Sequence, residues 1–109
     1  MATGKQFLEY VLEQLSGLDD VRVRPMMGEY LLYYRERYAA ELCDNRLLVK
    51  PVPSARALLP DAALEPPYEG AQPMLAVDCL EDRAKLEQLF NAIWDELPPP
   101  KPKKGRKRT

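Results

Sequence analysis

The chain has 109 residues, 46% of them hydrophobic and 30% charged, which is the composition of one globular domain with a core. No apolar run approaches the roughly 18 residues of a membrane span, and residues 1–14 mix charged with apolar side chains, unlike a signal peptide. We therefore expect a cytoplasmic protein with no membrane partner. The formal net charge of -1 hides an asymmetry, because residues 1–97 carry ten basic and all 17 acidic side chains, a charge of -7.

The residue types exclude several kinds of chemistry. The chain has no histidine, which removes the commonest general base and the commonest metal ligand. Cys43 and Cys79 alone cannot complete a zinc site, and we expect both to be reduced and packed, with a disulfide between them as the alternative. None of the five glycines forms a phosphate-binding loop. We therefore predict a protein that is not an enzyme, with no catalytic residue, cofactor or metal ion.

The first predicted elements are a helix and an edge strand. Thr3 and Gln6 form a capping-box pattern, and apolar residues recur at helical spacing over residues 4–16 until Gly17 offers a stop. Residues 21–24 alternate apolar with basic side chains, which predicts a short strand at the edge of a sheet, ending at Pro25.

A β-meander follows this strand. Residues 30–34, 38–43 and 46–50 predict three strands, and the Asp44–Asn45 pair tolerates the positive φ angles of a tight turn between the last two. Arg35, Glu36 and Arg37 form the other polar connection.

The remaining elements are two helices and one strand. Ser54 is predicted to cap a short helix over residues 55–59, and residues 60–68 form a proline-rich connection to a last strand over residues 73–78. Residues 81–97 carry a wide apolar stripe that includes Trp94, which predicts a final helix. The expected fold over residues 1–97 is α+β, an antiparallel meander of about 4–5 strands with the N-terminal and C-terminal helices packed on the sheet.

Residues 98–109, PPPKPKKGRKRT, form a separate segment. They contain no acid and no apolar side chain besides proline, so we predict a disordered basic tail. Its cations offer a weak, non-specific contact to nucleic-acid phosphates; they are Lys101, Lys103, Lys104, Arg106, Lys107 and Arg108. A solubilising terminus, or a tail that folds back on the acidic body, is the alternative interpretation.

Four tyrosines and two arginines cluster along the predicted meander: Tyr30, Tyr33, Tyr34, Tyr38, Arg35 and Arg37. Aromatic side chains interleaved with cations on a sheet can stack the bases of single-stranded nucleic acid. The alternation of the strands also explains the tyrosines as packing residues with hydroxyls at the rim, and we favour packing.

Three segments in order along the chain carry a family resemblance. Residues 24–33, RPMMGEYLLY, resemble the strand-opening signature of the TfoX N-terminal domain family, where a Met-Phe-Gly-Gly-Tyr-Gly-Leu-Tyr type run is usual. Residues 44–50, DNRLLVK, resemble its turn followed by a Leu-Tyr-Leu-Lys strand, and residues 67–74, PYEGAQPM, resemble its Tyr-x-x-x-x-x-Met segment. Glu29 and Leu31 replace two glycines of the family pattern.

The resemblance implies a bacterial α+β domain related to regulators of natural competence for DNA uptake, acting on transcription rather than catalysing a reaction. We therefore predict a non-enzymatic regulatory or adaptor domain that binds a protein partner, with a homodimer as a further option. The alternative is a small-molecule-binding or enzymatic domain. Its pocket, or the partner surface, is expected near Met26, Met27, Tyr30 and Tyr68.

Overall fold

A six-stranded antiparallel sheet forms the centre of the fold in a computed structural model that describes residues 3–99. The elements in chain order are α1 Lys5–Gln14, β1 Val21–Met26, β2 Glu29–Tyr34, β3 Arg37–Cys43, β4 Arg46–Val49, α2 Pro53–Leu58, β5 Leu64–Glu65, β6 Met74–Ala76, α3 Arg83–Ile93 and a 3₁₀ turn Trp94–Glu96. The strands lie side by side in the order β1-β2-β3-β4-β6-β5. The predicted α+β class is confirmed, and so is the edge position of β1.

Three tight hairpins build the meander from β1 to β4. Their two-residue turns are Met27–Gly28, Arg35–Glu36 and Asp44–Asn45, and all six residues have φ between 48° and 88°. Positive φ at both central residues is the geometry of a type I′ turn, whose twist matches that of the flanking strands. The positive φ expected of Asp44–Asn45 is therefore confirmed.

The helices pack against one face of the sheet and form the main core with it. Val11 of α1 and Phe90 of α3 are fully buried in this cluster, together with Leu32 and Leu42 from the sheet. Tyr34 belongs to the same face, where its hydroxyl donates a hydrogen bond of 2.6 Å to Oδ1 of Asn91 on α3. The period-two pattern of β2 and β3 thus places one side of each strand under the helices.

The predicted cap of α1 is wrong. Gly4 occupies the N-cap position, and the Thr3 hydroxyl donates instead to Oε1 of Glu29 at 2.7 Å, while the Gly4 amide donates to Oδ1 of Asn45 at 2.8 Å. Glu29 at the start of β2 and Asn45 in the β3–β4 turn therefore hold the start of α1, and the helix ends at Gln14 rather than at residue 16.

The predicted cap of α2 is wrong as well. Val52 is its N-cap, and Ser54 donates from its amide to Oε1 of Glu96 at 2.9 Å and from its hydroxyl to the other carboxylate oxygen. Ser54 thus links α2 to the 3₁₀ turn at the end of the chain's last helix. In α3, Asp82 lies at the N-cap and accepts a hydrogen bond of 3.1 Å from the Lys85 amide.

Three strand boundaries also differ from the expectation. β1 continues through Pro25, which an outer strand tolerates because the missing N–H faces no neighbour. β5 falls inside the predicted connection and pairs Leu64 and Glu65 with β6, while Glu65 forms an ion pair with Arg46. β6 is shorter than predicted.

The predicted tail cations lie outside the described residues, so the disorder and the nucleic-acid contact expected there stay predictions. Within residues 3–99, no helix is long and apolar enough to cross a membrane.

Candidate functional site

The face of the sheet opposite the helices carries two rows of side chains. The strand register places Arg24, Leu31 and Glu41 in one row across β1, β2 and β3. Arg22 and Tyr33 form a second row with Tyr38. We call this surface the open face and define it by Arg22, Arg24, Leu31, Tyr33, Tyr38 and Glu41.

The open face is concave where the loop after β5 rises beside it. A concavity of about 960 Å³ extends from the β1 side to Lys50 and Tyr68, and residues 98–99 line part of its rim. On its loop side lies a cleft of about 240 Å³, lined among others by Tyr38, Glu41, Lys50, Pro67, Tyr68 and Gln72. Glu41 lines both the cleft and the larger concavity.

A β-bulge brings Tyr38 and Glu41 to the same side of β3. Leu32 pairs with Ala40 while Tyr33 pairs with Tyr38, so Ala39 is an extra residue that shifts the alternation. The Tyr38 hydroxyl donates a hydrogen bond of 2.8 Å to Oε1 of Glu41. Burial, and next this hydrogen bond, raises the pKa of Tyr38 above its ordinary value, so the hydroxyl keeps its proton.

The Glu41 carboxylate is almost completely buried, with 2% of the residue exposed. Its second oxygen, Oε2, lies 4.0 Å from Sγ of Cys43. The same thiol lies 2.9 Å from the carbonyl oxygen of Pro67, and its single proton can be donated to only one of these two acceptors. Within residues 3–99, no lysine or arginine side-chain nitrogen lies within 4.0 Å of the Glu41 carboxylate oxygens. Burying a carboxyl group without a cation is costly unless hydrogen bonds satisfy it, and the Tyr38 hydroxyl supplies one such bond.

Burial raises the pKa of the Cys43 thiol to about 11. The thiol is therefore neutral at physiological pH and unlike a reactive nucleophile. Cys43 packs with Leu48 and Met74 beneath the loop, and both cysteines are free thiols, as expected. In the described part of the chain, no group of three His, Cys, Asp or Glu side chains could hold a metal ion.

Aromatic and basic side chains surround Glu41. The Tyr33 and Tyr38 ring centroids are 5.8 Å apart, and Lys50 Nζ lies 4.6 Å from the centroid of Tyr38. Arg22 forms an ion pair of 3.0 Å with Asp20 at the edge of the sheet, and it remains 72% exposed. The open face therefore offers ring surfaces, a buried acceptor and cations within one concavity.

The four residues predicted to form a pocket lie in different parts of the structure. Met26 and Tyr68 line the same concavity, and Tyr68 is 59% exposed. Met27 is 96% exposed in the turn between β1 and β2, and Tyr30 packs toward the helix-side core. The four side chains are therefore not gathered into one pocket.

The tyrosines and arginines that cluster in the sequence lie on both faces of the sheet. Tyr30 and Tyr34 are packing residues, as favoured from the sequence, while Tyr33 and Tyr38 lie on the open face. Arg37 stacks on Trp94, with 4.1 Å between its guanidinium carbon and the ring centroid.

Arg37 also holds the C-terminal end of the last helix. Its Nη1 donates to the carbonyl oxygens of Trp94 and Leu97 at 3.1 and 3.0 Å. Arg35 is a second cation near the same ring, 5.9 Å from the Trp94 centroid. These contacts give both arginines a structural role on the helix side.

The sequence analysis did not predict that Arg22, Arg24, Glu41 and Lys50 lie close to one another in the fold. One signal was present for Glu41, a single acid in the otherwise apolar run AAELC. Lys50 and Tyr68 are far apart in sequence, and only the pairing of β3, β4 and β6 brings them to one cleft.

Within residues 3–99, the fold and the open face define an α+β domain with a mixed polar and aromatic sheet surface on which no helix packs. The chain is 36% identical over 110 residues to an uncharacterised 12.7 kDa protein in the trpE 5′ region of Spirochaeta aurantia, and the match covers 100% of this chain and 96% of that protein. It therefore belongs to the same family as the Spirochaeta protein. No protein-family model matches the chain, and no solved structure matches it significantly. The resemblance to the TfoX N-terminal domain family accordingly stays a prediction.

Proposed function

We propose that this protein is a non-enzymatic regulatory or adaptor domain of the TfoX N-terminal type, which acts in transcriptional regulation in the cytoplasm by binding a protein partner through the open face. One observation carries the proposal: within residues 3–99 the helices bury one face of the sheet, while no helix packs on the β1–β3 part of the other face. Arg24 and Tyr33 supply a guanidinium and an aromatic ring there, which are residue types enriched where proteins meet.

The ionisable groups of this face support binding rather than catalysis. The pKa of the Cys43 thiol is raised to about 11, and that of the Tyr38 hydroxyl is raised too. Both groups keep their protons near neutral pH, so neither acts as a nucleophile or as a general base. A small ligand that regulates partner binding is compatible with this role, because the cleft beside Glu41 adjoins the same face.

The proposal is tested in the native host. We expect deletion of the coding sequence to alter a defined set of transcripts, and the wild-type chain to restore them. An Arg24→Glu, Tyr33→Ser double variant should fail to restore them while still folding cooperatively, because neither side chain belongs to the helix-side core. Tyr10→Ser is the matched control, since Tyr10 is 42% exposed on α1, away from the open face.

Two outcomes contradict the proposal. One is a deletion that leaves the transcripts unchanged. The other is full restoration by the folded double variant, which would move the binding surface away from the open face.

A further inference from the structure

We infer that the chain's own residues 98–102, PPPKP, pack across the open face as a polyproline II segment, against the rings of Tyr33 and Tyr38. We call these residues the proline segment. The inference rests on the proposed function and adds regulation of the same surface, because a partner that binds through Tyr33 must first displace the segment.

The described part of the chain ends at the open face. Leu97 is buried in the helix-side core, whereas Pro98 and Pro99 line the same concavity as Tyr33 and Tyr38. The chain therefore passes from the helix side of the sheet to the open face at the start of the proline segment.

Arg37 fixes the point at which the proline segment begins. Its Nη1 donates to the carbonyl oxygens of Trp94 and Leu97 at 3.1 and 3.0 Å, and the Leu97 carbonyl is the last one before Pro98. The segment is thus tethered beside the rings of the open face, which gives it a high effective concentration there.

The backbone is already in the conformation that such a segment needs. Leu97 has φ -80° and ψ 153°, which lies in the polyproline II region. Each proline fixes its own φ and disfavours helical angles in the residue before it, and Leu97, Pro98, Pro99 and Lys101 all precede a proline. Docking of a chain that is extended beforehand costs little conformational entropy.

The length of the segment matches the width of the surface. Polyproline II rises about 3.1 Å per residue, so the four steps from Pro98 to Pro102 span about 12 Å. The two strand spacings from β3 to β1 span roughly 10 Å. The segment can therefore cross the part of the open face that the three strands form.

The side chains of the open face suit proline rings. The ring centroids of Tyr33 and Tyr38 are 5.8 Å apart, and Leu31 beside them is only half-buried. Tyr68, on the loop side of the concavity, is 59% exposed. Grooves lined by aromatic rings are the usual binding surface for proline-rich segments.

The spacing of the prolines lets the single cation of the segment point away from these rings. Polyproline II has three residues per turn, so Pro99 and Pro102 share one side of the helix, while Lys101 shares another side with Pro98. A segment that presents Pro99 and Pro102 to the tyrosines therefore leaves Lys101 toward solvent.

The charge of the concavity limits docking to the prolines. Arg22, Arg24 and Lys50 line it, so it repels the five cations that follow Pro102. Those cations remain outside the concavity. The occupant is thus selected by its proline rings and its tether, rather than by attraction between the basic tail and the acidic body.

The experiment is NMR spectroscopy of the full chain with ¹³C-labelled proline. We expect the Pro102 δ-protons to be shifted upfield and to show nuclear Overhauser effects to ring protons of Tyr33 or Tyr38. Tyr33→Ser should remove both signals, because it deletes a ring from the binding surface. Tyr10→Ser is the control and should keep them, since Tyr10 is exposed on α1.

Two variants of the tail separate proline packing from charge. Pro99→Ser, Pro102→Ser should release the segment and shift the Tyr33 ring resonances. Arg106→Ser, Lys107→Ser is the matched control, with the same number of substitutions, and should keep the contacts of Pro102 with the rings. Loss of these contacts in the control would show attraction by charge and would overturn the inference.

Two further results would overturn it: absence of the Pro102 signals in the wild-type chain, or contacts that arise only between differently labelled copies, which would make a second copy the occupant. If Tyr33→Ser does not fold, unchanged Tyr33 resonances in Pro99→Ser, Pro102→Ser still reject it.

The inference and the proposed function fail separately. Contacts of Pro102 with the rings, together with a deletion that leaves the host transcripts unchanged, would keep the packing of the segment and reject the proposed function. Absence of these contacts together with failed restoration by the Arg24→Glu, Tyr33→Ser variant would reject the packing and keep the proposed function.

Discussion

At the residue scale, the hydrogen bond between Tyr38 and Glu41 connects the bulge of β3 to the open face. Removing the hydroxyl leaves a buried carboxylate oxygen without its donor. Tyr38→Phe should therefore lower the free energy of unfolding by about 1–3 kcal/mol, measured by chemical denaturation. Tyr33→Phe is the matched control on the neighbouring strand, and an equal loss in both variants would contradict the role given to this hydrogen bond.

Ser54 supplies a second residue-scale prediction, because it donates two hydrogen bonds to Glu96. These bonds lower the pKa of Glu96 below its ordinary value by favouring the charged carboxylate. The stabilisation is present above the ordinary pKa and is lost as the pH falls through the lowered one. Ser54→Ala removes the side-chain bond, so an NMR titration should show the Glu96 pKa moving up. An unchanged pKa would show that the amide bond alone is sufficient.

At the element scale, the sequence predicts the meander and the long helices because their signals are local. Alternation in β2 and the Asp44–Asn45 pair carry the information within a few residues. Thr3 and Ser54 illustrate the opposite case, since each has the pattern of a cap, yet each hydroxyl donates to a glutamate more than 20 residues away. Such partners are set by the tertiary fold.

The candidate site was less predictable than the elements for the same reason. Two residues of the expected surface, Met26 and Tyr68, do line the concavity. The others that define the cleft depend on strand register and on the Ala39 bulge. A single extra residue in β3 places Tyr38 on the same side of the strand as Glu41, and no local sequence pattern predicts this bulge.

Truncation of Trp94 measures how much the contact between the last helix and the sheet contributes to stability. It starts the 3₁₀ turn, is half-buried, and donates from its indole nitrogen to the carbonyl oxygen of Tyr34 at 3.1 Å. Trp94→Ala should cost about 3 kcal/mol of unfolding free energy, the lower end for aromatic truncation, because part of the ring is exposed. The exposed-site control Tyr10→Ala should change it by no more than about 0.5 kcal/mol. A loss equally small for Trp94→Ala would mean that the ring is a free surface.

At the scale of the whole molecule, the charge distribution predicts how the protein binds duplex DNA. The acidic body repels phosphate and the six tail cations attract it. We expect similar dissociation constants of about 10⁻⁴ to 10⁻⁶ M for unrelated duplexes, with a salt slope no steeper than about six. Replacing the six cations by glutamine should abolish binding in fluorescence anisotropy. Sequence-selective nanomolar binding by that variant would place a duplex site on the folded body.

The two borders of the sheet have a further consequence for self-association. β1 presents a proline and two arginines along one border, and β5 presents only two residues along the other. An extended strand from another molecule finds little unpaired backbone at either side, so edge-to-edge polymerisation is disfavoured. A homodimer that joined through the open face would compete with any other partner for that surface.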